Sequence, residues 1–97
     1  MDYNKLSALK RCYATLVQSL DTIEILDYLI SGECISHDEF EKISAKATST
    51  EKARALLDIL FRKSNEAFNC FQSALSEKQP YLAKILKDQL TKVPNPK

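Results

Sequence analysis

Apolar residues recur along most of the chain at steps of three and four positions, the spacing of one face of an α-helix. The first predicted helix carries the stripe Leu6, Leu9, Tyr13, Leu16, Val17 and Leu20. A second helix is predicted to begin after Asp21, with Glu24 as its capping partner, and to end at Gly32. Its predicted buried stripe includes Ile23, Leu26, Leu29 and Ile30.

The same pattern continues through the rest of the chain. Ser36 and Glu39 have the spacing of a capping box and predict a short third helix through Phe40 and Ile43, which Ile35 would anchor. A fourth helix, beginning within 48–51, would bury Ala53, Leu56, Leu57, Leu60 and Phe61. A fifth, capped at 64–65, would bury Ala67, Phe68, Phe71, Ala74 and Leu75. A sixth, beginning at Pro80, would bury Leu82, Ile85, Leu86 and Leu90.

Strand-like alternation is missing, and one glycine and three prolines leave little material for hairpin turns. Each helix has one apolar stripe that only its neighbours can cover, so the pattern predicts an all-α, six-helix antiparallel bundle. A chain of 97 residues favours a single domain. We expect it to occupy residues 1–91, followed by a disordered tail at 92–97 that contains Pro94 and Pro96.

The sequence contains few residues that could form a catalytic or metal-binding site. The three cysteines are odd in number and widely spaced, which favours reduced thiols in the cytoplasm. Cys34 and His37 have half of a zinc-ligand spacing, but no second pair completes it. We therefore predict no metal, no cofactor and no enzymatic activity. No apolar stretch approaches a membrane span, and the first residues lack the apolar core of a secretory signal.

The charges are distributed unevenly. Residues 21–41 contain seven acids and no lysine or arginine, a charge of −7, whereas the rest of the chain holds 14 bases and six acids, or +8. The acidic segment coincides with the second and third predicted helices, so the molecule should be electrically bipolar. The acidic pole would repel phosphate backbones, which makes nucleic-acid binding an inferior alternative. A solvated charged face without any partner is the other alternative.

The order and spacing of these segments resemble the caspase-recruitment domain, one branch of the six-helix death fold. The pieces that carry the resemblance span nearly the whole chain: 16–17, 25–27, 35–43, 53–60, 67–71 and 74–75. The likeness is to domains of initiator caspases and apoptotic adaptors. It implies a module that binds other domains of its own kind, including copies of itself, in apoptotic or inflammatory signalling. In that family an acidic surface on the second and third helices commonly meets a basic surface on the first and fourth.

Helical angles supply the candidate residues for both surfaces. The acidic candidates are Glu24, Asp27, Tyr28, Asp38 and Glu41. The basic candidates are Lys10, Arg11, Lys52, Arg54, Arg62 and Lys63. The chain departs from the family at Tyr13, where related domains have an arginine, and Arg11 is a candidate replacement. Two roles stay open: a free-standing decoy of host or viral origin, or the N-terminal domain of an adaptor or initiator caspase that promotes assembly.

Overall fold

The computed structural model describes the backbone of residues 3–92 and the side chains of residues 3–90, and every regular element in that part is an α-helix. The predicted all-α class is therefore confirmed, with seven described helices instead of six. They are Tyr3–Arg11 (α1), Tyr13–Ser19 (α2), Thr22–Ser31 (α3), His37–Ser44 (α4), Ser49–Phe61 (α5), Asn65–Lys78 (α6) and Pro80–Lys92 (α7). The tail predicted at 92–97 lies, apart from the backbone of Lys92, outside the described residues.

The additional helix arises because the predicted first helix is divided at Cys12. This residue has φ −89° and ψ 0°, outside the helical range of ψ. Its N–H still donates to the Ala8 carbonyl at 3.1 Å, and its carbonyl accepts from the Leu16 N–H at 2.8 Å. The two halves pack on different neighbours, α1 on α7 and α2 on α5. The bend at Cys12 thus lets each half present its buried residues to its own neighbour.

Side-chain caps fix the starts of α4 and α5 where the sequence predicts them. Ser36 Oγ accepts from the Glu39 N–H at 3.1 Å, and the Glu39 carboxylate accepts from the Ser36 N–H at 2.9 Å, which completes the capping box. Thr48 Oγ1 accepts from the Glu51 N–H at 3.1 Å. Each cap contributes about 1 kcal/mol to the stability of its helix, so the acidic segment ends in a helix with a defined start.

The helices surround one hydrophobic core, and each of them packs against the next in a ring. α1 packs on α7, α7 on α6, α6 on α3, α3 on α4, α4 on α5 and α5 on α2. The pair α3 and α4 is therefore separated from the pair α1 and α2 by α5 on one side and by α6 and α7 on the other. Phe68 and Phe71 of α6 are fully buried. They share the core with Leu9, Leu16, Ile25, Leu29, Ile43, Leu56, Leu57, Leu60, Leu75 and Leu82.

The buried face of α3 differs from the predicted one. Ile25 is fully buried, whereas Ile23 is 60% exposed and Ile30 is half-buried. Leu26 and Leu29 are buried as predicted. At about 100° per residue, Ile25, Leu26 and Leu29 lie within one arc, and Ile23 falls about 60° beyond its edge. The predicted apolar stripe of this helix therefore had the correct spacing, but its centre was placed at the wrong angle around the helix axis.

The prediction of three reduced thiols is wrong for two of them. Cys34, in the connection after α3, and Cys70, in α6, are joined by a disulfide, with their Cα atoms 6.5 Å apart. The third cysteine, Cys12, is free and buried, and burial raises the pKa of its thiol. Spacing along the sequence could not reveal the pair, because the two residues meet only when α3 packs on α6.

Candidate functional site

Two acidic side chains project from the solvent side of α3. Asp21 caps this helix, its side chain accepting from the Glu24 N–H at 3.5 Å. Glu24 and Asp27 are three positions apart and both exposed. Their helical angles straddle the point opposite the buried arc of α3. Two carboxylates therefore face solvent side by side, as the sequence predicts.

The neighbouring helix α4 adds two more exposed carboxylates. Asp38 and Glu41 are also three positions apart and exposed, while Ile43 is buried and holds the other side of this short helix in the core. Because α3 and α4 are packing neighbours, the two pairs of acids lie on adjacent helices. We call these four exposed residues, Glu24, Asp27, Asp38 and Glu41, the acidic face.

Tyr28 lies at the margin of this region and not at its centre. It is half-buried and lines a groove between α3 and α6 together with Asn69 and Ser73. Its helical angle is about 60° from that of Ile25, on the side away from Leu26. The prediction that Tyr28 lies opposite the apolar stripe is therefore wrong, since its ring flanks that stripe.

Arginine and lysine side chains are exposed on or beside two other helices. Arg54 in α5 and Arg62, the residue that follows α5, are exposed and eight residues apart, about 12 Å along the helix. Asp58 lies between them at four-residue spacing and is also exposed. Lys10 and Arg11, the last two residues of α1, are exposed as well.

An aromatic pair brings these two groups of bases together. The rings of Tyr13 in α2 and Phe61 in α5 are stacked, with centroids 6.1 Å apart and planes at 23°. Arg11 precedes Tyr13 by two residues and Arg62 follows Phe61 directly, so the stack brings the backbone at Arg11 near the backbone at Arg62. We call the exposed bases Lys10, Arg11, Arg54 and Arg62 together the basic face. Tyr13 thus serves as a packing residue between α2 and α5.

The remaining two basic candidates lie toward α4. Lys63 Nζ forms an ion pair with Glu39 Oε1 at 2.9 Å, and each side chain is 26% exposed. Lys52 is half-buried and shares its flank of α5 with Ile59, which borders the same cavity as Glu39 and Lys63. Arg62 borders that cavity as well. Lys52 and Lys63 therefore lie toward α4, and Arg62 lies between them and Arg54 on the outward side of α5. Sequence spacing could not place Lys63, because the ion pair joins α4 to the α5–α6 connection and depends on how the helices pack.

The ion pair changes the acidity of Glu39. Partial burial by itself would raise the pKa of this carboxyl group, but the hydrogen bond from the Ser36 N–H and the nearby Lys63 ammonium outweigh it. The pKa of Glu39 is consequently lowered. Glu39 therefore stays ionised as an internal link between α4 and the α5–α6 connection, and does not join the exposed acids of α4.

One base near the basic face was missed by the sequence reasoning. Lys46, in the α4–α5 connection, lines a shallow depression of about 290 Å³ together with Glu51, Arg54 and Asp58. Charge alone marks this lysine in the sequence. Helical periodicity assigns no face to a residue in a connection, so its position next to Arg54 could be found only from the fold.

Other kinds of site find little support in the described residues. Among residues 3–90, no three metal-ligating side chains come together, and Cys34 is part of the disulfide and so cannot supply a thiolate. None of the helices in that part is long and apolar enough to span a membrane. A cavity of about 840 Å³ is an open polar groove between α3, α6 and α7.

The amino-acid sequence of the chain is similar to parts of several longer proteins. Apoptotic protease-activating factor 1 of Danio rerio is 38% identical over 91 residues, which is 93% of this chain but 7% of that protein. Caspase-1 of Equus caballus is 36% identical over 64 residues, 65% of this chain and 16% of that protein. Apoptotic protease-activating factor 1 of Mus musculus is 32% identical over 75 residues, 77% of this chain and 6% of that protein.

The chain thus spans a small part of each of these relatives, and the likeness concerns one domain of theirs. A family model, the caspase recruitment domain, matches residues 6–89. That range begins within α1 and ends within α7, so it includes α2 to α6 completely, most of α1 and α7, and every residue of the acidic and the basic face. The chain belongs to the caspase recruitment domain family.

Proposed function

We propose that this domain binds other caspase recruitment domains through its charged faces and thereby regulates apoptotic or inflammatory caspase signalling. The observation that carries the proposal is the separation of charge between helix pairs. The acidic face lies on α3 and α4, and the basic face lies on α1 and the outer flank of α5. A domain with two complementary faces can accept one partner on each.

Several charges must act together for such docking to be specific. A single exposed ion pair contributes about 0–1 kcal/mol, so four carboxylates meeting four bases give a contact of modest strength that salt weakens. Because the two faces are different surfaces, self-association through them is head-to-tail. A head-to-tail contact that does not close into a ring can extend into a filament.

Domains of this family are protein-interaction modules, and we propose no catalytic activity, cofactor, nucleic-acid ligand or membrane contact for this chain. Its place of action is the cytoplasm.

Two roles fit the same docking chemistry. A decoy would occupy the face of a caspase or adaptor, and a recruitment domain of a longer protein would bring its other domains to the assembly. The mass of the native protein in its source cell distinguishes these roles.

Charge reversal tests the docking. Asp27→Lys removes a central carboxylate of the acidic face, and Arg54→Glu removes a base of the basic face. Each should weaken binding to a purified caspase recruitment domain of complementary charge by at least about tenfold, or 1.4 kcal/mol. The matched controls are Glu77→Lys on α6 and Lys84→Glu on α7, which make the same charge changes at exposed positions outside both faces.

Self-association gives a second and more stringent test. Asp27→Lys keeps the basic face and Arg54→Glu keeps the acidic face, so neither variant should assemble alone. An equimolar mixture should form a 1:1 complex through the two intact faces and stop there, as measured by sedimentation velocity. If both variants bind as the unmodified chain does while Glu77→Lys and Lys84→Glu weaken binding, the faces are assigned wrongly.

A further inference from the structure

The disulfide joins two parts of the domain that no helix connects directly. Cys34 lies in the α3–α4 connection and Cys70 in the middle of α6, 36 positions later. The loop that the bond closes contains the whole of α4 and α5. The bond therefore fixes the start of α4, and with it Asp38 and Glu41 of the acidic face, relative to α6.

The bond is open to solvent on two sides. One cavity of about 470 Å³ is lined by Cys34 and Cys70 together with Glu33, Lys63 and Glu66. A second, of about 420 Å³, borders the same two cysteines from the side of α3. Both cysteines are only half-buried, in contrast to Cys12, which is 2% exposed. Small thiols can therefore approach the bond in the folded protein.

The backbone holds Cys34 in place independently of the bond. The Cys34 N–H donates to the Leu29 carbonyl at 2.9 Å, and the Glu33 N–H donates to the Ile30 carbonyl at 3.1 Å. This is a Schellman motif, and Glu33 takes the left-handed conformation that it requires, with φ 58°. With the Cα atoms of Cys34 and Cys70 6.5 Å apart, two reduced thiols would stay close enough to bond again.

We infer that Cys34 and Cys70 form a reversible redox site, which exchanges with glutathione and switches the α3–α4 connection between a fixed and a released state. The inference rests on the proposed cytoplasmic location, because disulfides in that compartment are usually transient and redox-sensing. Reduction removes the covalent anchor of the connection. The acidic face then depends on Ile35, Ile43 and the Glu39–Lys63 ion pair to hold α4.

Glutathione is the only reagent that this thiol–disulfide exchange requires. In oxidation, one cysteine thiolate attacks a sulfur of oxidised glutathione, forms a mixed disulfide and expels a glutathione thiolate. The second cysteine thiolate then attacks the cysteine sulfur of that mixed disulfide and expels the second glutathione. Two protein thiols and one oxidised glutathione become one protein disulfide and two reduced glutathiones. The two protons lost by the protein thiols are taken up by the two released thiolates.

The test is a redox titration of the folded, unmodified chain. The protein is equilibrated without oxygen in buffers of varied reduced and oxidised glutathione, quenched with acid and alkylated, and its thiols are counted by mass spectrometry. We expect one transition that consumes two thiols, assigned to Cys34 and Cys70 by peptide mapping. Cys12 should react only after unfolding. Cys34→Ser and Cys70→Ala, made separately, should each abolish the transition.

Conformation is followed in the same buffers. Reduction should lower the Tm by at least about 10 °C and should accelerate amide hydrogen exchange chiefly in residues 33–44, with α7 exchanging as before. Cys70→Ala should behave like the reduced chain at every glutathione ratio. No partner is used in these measurements, so a failure of the docking proposal leaves them standing, and the reverse also holds.

Three outcomes would overturn the inference. The bond could resist reduced glutathione in the folded chain and yield only after unfolding in urea, which would make it a permanent structural link. It could fail to form in excess oxidised glutathione. Exchange in residues 33–44 could also be the same in both states, which would show that the bond switches nothing.

Discussion

The backbone N–H of Asp21 donates a hydrogen bond of 2.6 Å to Oε1 of Gln79, 58 positions further along the chain. The same side chain donates from Nε2 to the Ser19 carbonyl at 2.8 Å. Gln79, in the α6–α7 connection, thus binds the last residue of α2 and the α2–α3 connection with the two ends of one amide. Since Asp21 also caps α3, this link sets where the acidic helix begins.

Replacing Gln79 by alanine should therefore lower the free energy of unfolding by about 1–3 kcal/mol, because it leaves a partly buried carbonyl and an N–H without their partner. Urea denaturation measures the change. Gln18→Ala is the matched control, since Gln18 is exposed on α2 and its loss should change stability by less than about 0.5 kcal/mol. Equal effects of the two replacements would contradict the assignment.

For Glu33 we predict a replacement that raises the free energy of unfolding. Its φ of 58° is costly for a residue with a side chain, by roughly 1–2 kcal/mol, whereas glycine adopts it freely. After subtraction of the greater freedom of glycine in the unfolded chain, Glu33→Gly should stabilise the domain by about 0.5–1 kcal/mol. Thermal denaturation in fully oxidised protein measures this.

The control for Glu33 makes the same replacement in a helix. Glu41→Gly, on the exposed side of α4, should destabilise the domain by about 1 kcal/mol, because glycine is unfavourable in a helix interior. A loss of stability in both variants would show that the left-handed residue carries no strain.

The stack of Tyr13 on Phe61 predicts a measurable coupling. Tyr13→Ala and Phe61→Ala should each destabilise the domain, and a double-mutant cycle should give about 0.5–1.5 kcal/mol of interaction between the rings. Tyr3→Ala, at a position 71% exposed, should be nearly neutral and should show no coupling to Phe61. A coupling of zero for Tyr13 would mean that each ring packs on the core independently.

Much of this fold could be predicted from the sequence, because helix periods and caps are local. The buried stripe of α6 and the capping box at Ser36 occur as predicted. Features that depend on which helices meet could not be predicted. The division at Cys12 serves two different neighbours, and Cys34 and Cys70 meet only because α3 packs on α6.

The candidate faces show the same limit. Asp27 and Arg54 are exposed where their helical angles place them. Tyr28 and Ile23 were misplaced, because a period fixes the spacing of an apolar stripe but does not fix where the stripe is centred on the helix. Lys63 was assigned by its helical angle to the basic face, although its partner Glu39 lies on α4. Pairing across connections cannot be inferred from the charge of one segment.

The Glu39–Lys63 ion pair predicts a dependence of stability on pH. The pKa of Glu39 is lower in the folded chain than its ordinary value of 4.5, so this carboxylate stabilises the domain above that value. The contribution should be lost as the pH falls through the unfolded and then the folded pKa. Glu39→Gln keeps an oxygen for the Ser36 N–H but loses the charge, so it should cost about 1 kcal/mol at pH 7 and progressively less as the pH falls below the unfolded pKa.

Other carboxyl groups titrate in the same range, so the measured quantity is the difference in unfolding free energy between the unmodified chain and Glu39→Gln at each pH. Lys63→Gln provides the control background. There the same replacement should give a smaller difference, because the Lys63 ammonium is gone and the contacts with Ser36 still favour the charged side chain. A difference that stays constant from pH 7 to pH 3 would mean that the ion pair in the folded chain does not stabilise it.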